Sequence, residues 1–188
     1  LIRDLMMQEA KIDTFGVGER LITAKSAPVF GGVYKLAAVE DEQGNIIPKI
    51  KISENTAKIT NPHYKKLYRF YDNESGKALA DELCVYDETI DSTKPHTIFD
   101  PDAIWKTKTL TDYTARELHV TVFKNGELVY KQPSLYEIRI YCAEQLETLW
   151  DEVKRFENPH TYYVDLSKKL WDIKNALLEK SKDGKDLK

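Results

Sequence analysis

The 188-residue sequence predicts an α+β protein, and three stretches carry that reading. Residues 1–21 run from a short amphipathic helix through a brief strand into a glycine turn. Residues 29–92 show the two-residue alternation of half-buried strands, broken by hairpin turn residues. The last part of the chain carries helix-capping residues followed by apolar side chains at helical spacing.

Taken in order, Leu1, Leu5 and Gln8 share one helical face, with Ile2, Met6 and Met7 beside it. No capping residue stands ahead of Leu1, and the chain does not begin with Met, so it is expected to be a piece of a longer protein. Residues 12–15 form a short strand that leads into Gly16-Val17-Gly18-Glu19. Two glycines around one small apolar residue leave no side chain in the path of a bound group. A helix opening within the next few residues would aim its free N–H groups at that space, which is how helix N-termini take phosphate. Helix, strand, glycine turn and a further element is the grammar of an α/β unit, whose phosphate sites sit at the C-terminal ends of strands.

A second glycine pair, Gly31-Gly32 behind Phe30, runs into a strand through Leu36. Residues 41–45 form a turn, and Lys49-Ile50-Lys51-Ile52 alternates as a strand does. Residues 67–71 and 79–86 are paired strands around the turn residues Asn73-Glu74-Ser75-Gly76. Residues 94–102, with two prolines, read as a linker. Residues 117–123 and 127–130 are strands joined by Asn125-Gly126. Ser134 and Glu137 form a capping box at the head of a helix that places Leu135, Ile138, Cys142, Leu149, Val153 and Phe156 near one face. Pro159 closes that region. Asp165 or Ser167 caps a final helix with Leu166, Leu170, Ile173 and Leu177 inside, and residues 181–188 are a polar tail.

Composition narrows the function. A net charge of −3 argues against a general nucleic-acid or membrane-surface binder, which needs a cationic face. No apolar run is long enough to span a bilayer. The two cysteines, Cys84 and Cys142, form no CxxC pair, so neither a disulfide framework nor a cysteine zinc site is expected, and a reducing compartment fits. None of His63, His96, His119 and His160 has metal-ligand spacing or a nucleophile beside it, and each reads as surface or structural. Asp13 before the turn, and Thr23, Lys25 and Ser26 after it, could lie near a bound phosphate but equally decorate a solvated loop. Trp150 and Trp171, with Tyr162 and Tyr163 between the last two helices, read as helix–helix core. The chain offers no paired catalytic carboxylates and no P-loop, so no catalytic residue and no metal ligand is assigned.

Several blocks in sequence resemble the late part of nicotinate phosphoribosyltransferases. They are Asp13-Thr14-Phe15-Gly16-Val17-Gly18, Gly32-Val33-Tyr34-Lys35-Leu36, Lys51-Ile52-Ser53-Glu54-Asn55, Thr114-Ala115-Arg116-Glu117-Leu118, Pro133-Ser134-Leu135 and Val164-Asp165-Leu166-Ser167. The resemblance implies a type II phosphoribosyltransferase: an α/β barrel, a β-rich antiparallel segment and C-terminal helices. In its terms residues 1–36 are the last strand and flanking helices of the barrel, 37–92 the β-rich segment, and 93–188 the C-terminal hairpin and helices. It implies an enzyme of NAD biosynthesis that joins nicotinate to phosphoribosyl pyrophosphate, coupled to ATP hydrolysis through a phosphorylated histidine, assisted by Mg2+, homodimeric and cytoplasmic. Gly16, Val17, Gly18 and Glu19 would offer backbone N–H groups to the 5′-phosphate. Two departures stand out. Glu19 occupies the place of the family's usual Thr, so its carboxylate must turn away from a phosphate. Pro62-His63 replaces a Pro-Gly turn, so His63 must avoid a positive φ or strain to reach it. No histidine here lies in a segment matching the phosphorylated one, so this chain alone is expected to be inactive and to bind no cofactor. A non-catalytic β-rich interaction domain, and a sister enzyme for nicotinamide or quinolinate, are the alternatives.

Overall fold

A computed structural model describes residues 1–29 and 31–182. Phe30 and residues 183–188, parts of the second glycine stretch and of the expected polar tail, lie outside the described residues. The chain divides after Tyr34 into two compact units.

The first unit holds two short helices, α1 (Ile2–Met7) and α2 (Glu19–Ile22). α1 lacks a side-chain cap, and its first turn closes through the Leu5 N–H on the Leu1 carbonyl. None of the described residues up to Tyr34 is buried. Residues 12–15, expected as a strand, join no ladder, nor do residues 31–36. Apolar alternation specifies a face, but four residues become a strand only when a neighbour supplies the other half of the hydrogen bonds.

The second unit, from Lys35 onward, opens with a hairpin of β1 (Ala38–Glu40) and β2 (Ile46–Pro48). Its turn is built by Asp41, whose carboxylate accepts the N–H groups of Gln43 (2.9 Å) and Asn45 (2.8 Å). The expected strand at residues 49–52 lies just beyond β2 and joins no ladder: the Lys49 N–H still reaches the Ala37 carbonyl at 2.8 Å, and the Lys51 N–H goes to the Thr60 hydroxyl at 2.9 Å. The centre of the unit is a four-stranded sheet in the order β10-β4-β3-β7. β3 (Lys65–Asp72) and β4 (Ala78–Val85) form the hairpin read from residues 67–86, with a bulge at Phe70/Tyr71. Within the expected turn, Gly76 has φ +67 and the Asp72 carboxylate receives the Ser75 N–H.

β5 (His96–Asp100) and β6 (Ala103–Leu110) pair as a separate hairpin. This corrects the linker expected at residues 94–102. Pro95 and Pro101 stand just outside β5, where a missing N–H costs no ladder bond. β7 (Tyr113–Glu117) lies antiparallel to β3 and ends where the sequence placed a strand start. β8 (Phe123–Lys124) and β9 (Glu127–Leu128) flank Asn125-Gly126, both with positive φ as a tight hairpin turn requires. α3 (Leu135–Glu147) carries the expected capping box, but it ends before Pro159 and buries no residue. β10 (Val164–Leu166) adds parallel to β4, and α4 (Lys168–Lys182) follows it. Of the two proposed caps for α4 the structure selects Ser167, whose Oγ accepts from the Leu170 N–H at 3.2 Å.

Two apolar clusters hold the unit. Phe70, Ala80, Ile98, Leu110 and Tyr113 seat the β5–β6 hairpin on the sheet. Val85, Leu166 and Leu170 seat α4, with Trp171 and Ile173 packed against them.

Candidate functional site

Residues 16–18 run without ladder or assigned turn into α2 in the first unit. Gly18 is the N-cap of α2, and the Leu21 N–H returns to its carbonyl at 3.0 Å. Among the described residues no backbone carbonyl receives the N–H of residues 16–19. A Cβ added at Gly16 or Gly18 would meet nothing within 4 Å. The amides are therefore available, and the glycines are not demanded by packing within the chain. Glu19 is exposed, and its carbonyl accepts the Thr23 hydroxyl at 2.8 Å, which closes the turn of α2. Asp13, Lys25 and Ser26 are exposed as well.

The four histidines do different things. His63 does reach a positive φ, +77. An L side chain there crowds its own backbone. The ring makes up part of this, since Nδ1 accepts the Tyr64 N–H at 2.9 Å and the ring stacks on Tyr86 at 5.8 Å. The Lys65 ammonium then gathers the carbonyls of Asn61, Pro62 and His63 (3.0, 3.2 and 2.5 Å). His119, expected in a strand, follows the end of β7, and its Nδ1 accepts the Leu67 N–H. His160 is exposed. His96, expected in a loop, stands at the head of β5, stacked on Phe70 at 5.2 Å, with Nε2 2.9 Å from the buried Glu82 carboxylate.

Glu82 belongs to a polar layer through the sheet that spacing did not reveal. Arg69 on β3 grips Asp81 on β4 with two bonds, Nε to Oδ1 at 2.8 Å and Nη2 to Oδ2 at 2.9 Å. The Tyr162 hydroxyl donates to the same Asp81 oxygen at 2.8 Å. Bonding to Asp81 holds the Arg69 proton more tightly than usual, and burial with the same bond raises the Tyr162 phenol. Burial, with Glu82 nearby, pushes the Cys84 thiol up, which makes it inert. The legible signal was Asp81-Glu82 inside an otherwise apolar strand pattern.

Beside this layer opens a cavity of about 800 Å³ between the β5–β6 hairpin, the start of β4 and the segment before β10. Ala78, Ile98 and Asp165 line it from inside, and Trp105, Trp150 and Tyr163 line it with partly exposed rings. The Asp165 carboxyl is pushed up to about 6, chiefly by burial and then by Asp100 and Glu82. Among the described residues no three His, Cys, Asp or Glu side chains are placed to hold a metal ion. No described helix is long and apolar enough to cross a membrane.

Known proteins place this arrangement. The family model for the nicotinate phosphoribosyltransferase C-terminal domain matches residues 64–174, which takes in the four-stranded sheet, both hairpins after it, α3 and the first part of α4. The chain is 39% identical to nicotinate phosphoribosyltransferase of Bacillus subtilis over 92% of its own length and 35% of that protein. It is 33% identical to the Dictyostelium discoideum protein of the same name over 98% of its length and 32% of the relative. A crystal structure of human nicotinic acid phosphoribosyltransferase superposes with a TM-score of 0.58 at 26% identity, over 63% of this chain and 24% of that one. The chain thus spans about a third of the length of the curated relatives it matches. With its sheet, its hairpins and its sequence matched together, this chain belongs to the nicotinate phosphoribosyltransferase C-terminal domain family.

Proposed function

We propose that this chain is the C-terminal part of a nicotinate phosphoribosyltransferase and contributes the phosphate cradle at residues 16–19. The observation that carries this is the run of four residues whose amides are uncommitted and open, in a chain aligned over nine-tenths of its length with enzymes of that name. The enzyme makes nicotinate mononucleotide and pyrophosphate from nicotinate and phosphoribosyl pyrophosphate, an NAD-forming step coupled to ATP. Transfer of this kind passes through a cationic sugar, so fixed positioning and charge complementarity outweigh covalent work. Amides at Gly16, Val17, Gly18 and Glu19 hold the 5′-phosphate still while the anomeric carbon reacts.

Residues 1–36 act as the end of the barrel, 37–92 as the β-rich segment and 93–188 as the C-terminal hairpin and helices. Mg2+ would be held by the diphosphate of the substrate and by residues outside this chain. The phosphorylated histidine also lies outside, and this chain alone is inactive. The apolar side chains that α3 leaves exposed, among them Leu135, Tyr136 and Ile138, meet the rest of a cytoplasmic homodimer.

Gly16→Val and Gly18→Val, made in the longer protein, test the cradle. An added Cβ at either position meets nothing within 4 Å in this chain, and circular dichroism of the variants checks that folding is kept. The Michaelis constant for phosphoribosyl pyrophosphate is expected to rise by about tenfold or more, the loss of one or two charge-assisted bonds. Glu19→Thr is expected to lower it a fewfold by removing a like charge from a helix N-terminus. Unchanged constants in all three would leave a non-catalytic interaction domain as the better reading.

A further inference from the structure

We propose that the cavity of the second unit is a binding site for a small organic cation, an ammonium, amidinium or guanidinium on a flat apolar body, with Asp165 as its counter-ion. Asp165 is only 5% exposed, yet its carboxylate lines the cavity. Among the described residues it receives no hydrogen bond and no ion pair, although β10 pins its backbone in register with Glu82 of β4. Buried carboxylates are otherwise satisfied, because an unpaired one forfeits the water it left behind. What this group lacks is a donor bearing positive charge, and the cavity it lines gives one access to it.

The chain's own cations do not fill that need. Lys106 lies 3.8 Å from Asp100 and is largely exposed, and Lys108 sits on the outer strand of the hairpin without reaching Asp165. With Asp165, Asp100 and Glu152 the wall sets three carboxylates against the ammonium groups of Lys106 and Lys108, a balance that favours a cation over an anion. Trp105, with 77% of its surface free, and the rings of Trp150 and Tyr163 add faces on which a flat cation gains cation–π energy. The volume, about 800 Å³, suits a ligand of roughly ten to thirty heavy atoms.

The test is calorimetric titration of this chain with benzamidinium, with benzyl alcohol and benzoate as the neutral and anionic counterparts. Saturable binding of benzamidinium at about pH 7.5, with the other two at least about tenfold weaker, is expected. Between about pH 7.5 and 5 its affinity should fall by roughly tenfold as Asp165 takes up a proton. Asp165→Asn should remove the preference and flatten the profile, while Trp105→Ala, at an exposed position, should weaken binding a fewfold. Asp100, Glu152 and His160 also line the wall, and His160→Gln should keep the profile whether or not Asp165→Asn folds. Equal binding of benzyl alcohol, a pH-independent affinity, loss of the profile in His160→Gln, or no saturation would each overturn the proposal.

Discussion

At the scale of the residue, His63 shows a side chain working against its own backbone. A φ of +77 is free for glycine and strained for histidine. The local return is the Tyr64 N–H bond and the stack on Tyr86, while the Lys65 ammonium binds the three preceding carbonyls. His63→Ala keeps the strain and loses the ring, so it should destabilise by about 1–2 kcal/mol. His63→Gly loses the ring but also the strain, and should fall within about 1 kcal/mol of the parent. Urea titration of the two variants separates them, and a less stable glycine variant would show that the ring outweighs the backbone. That Pro-His stands where the family has Pro-Gly was legible from sequence; which way the conflict would resolve was not, because two of its partners, Tyr86 under the ring and the Ala37 carbonyl that receives the His63 N–H at 2.7 Å, are each more than twenty residues away. His96, read as surface or structural, is structural, but its place at the head of a strand rather than in a loop was not legible for the same reason. Its partner Glu82 is fourteen residues back, across a sheet that no local pattern describes.

At the scale of the element, what sequence foretold best was what short stretches decide alone. The capping box at Ser134, the Asn125-Gly126 turn and the β3–β4 hairpin each depend on a few neighbouring residues and formed as read. Burial did not follow. The periodicity of α3 identifies an apolar face, but whether anything covers a face is settled elsewhere, and α3 buries nothing. α4 has the same kind of pattern and buries Leu170 completely against Val85 and Leu166. The two helices should therefore respond oppositely to damage. Ser134→Ala should cost α3 about 1 kcal/mol of local helix stability, seen as faster amide exchange within 135–147, while the urea midpoint of the chain stays put. Leu170→Ala should cost about 2–5 kcal/mol and move that midpoint. A midpoint shift of similar size in both would mean that α3 is bonded into the cooperative unit after all.

At the scale of the whole molecule, acid response depends on carboxylates shifted in opposite directions. Hydrogen bonds from Asn45, Ser75 and Thr93 hold Asp41, Asp72 and Asp91 below the usual carboxylate range, and the Lys169 ammonium does so for Asp87. Groups lowered on folding contribute stability that is present above their unfolded pKa and lost as the pH falls through the folded one. Asp165 runs the other way. Its carboxyl, raised to about 6 by burial, binds a proton more tightly in the folded chain. Its contribution is complete below the unfolded value near 4 and is lost as the pH rises through about 6. Together these place maximum stability at about pH 4–5, on the acid side of the range in which most proteins peak. Asp165→Asn removes the descending limb, so its stability should stay level from about pH 4.5 to 7, with a gain over the parent at neutral pH on the order of 1–3 kcal/mol. Thermal unfolding followed by circular dichroism across that range would show it. The same single side chain then accounts for a cost carried by the folded chain at neutral pH and for its removal by a bound cation, since an ion pair formed there offsets the penalty that protonation otherwise relieves. A parent whose melting temperature climbs steadily to pH 7 would mean that Asp165 finds a donor in solution that the folded chain does not show.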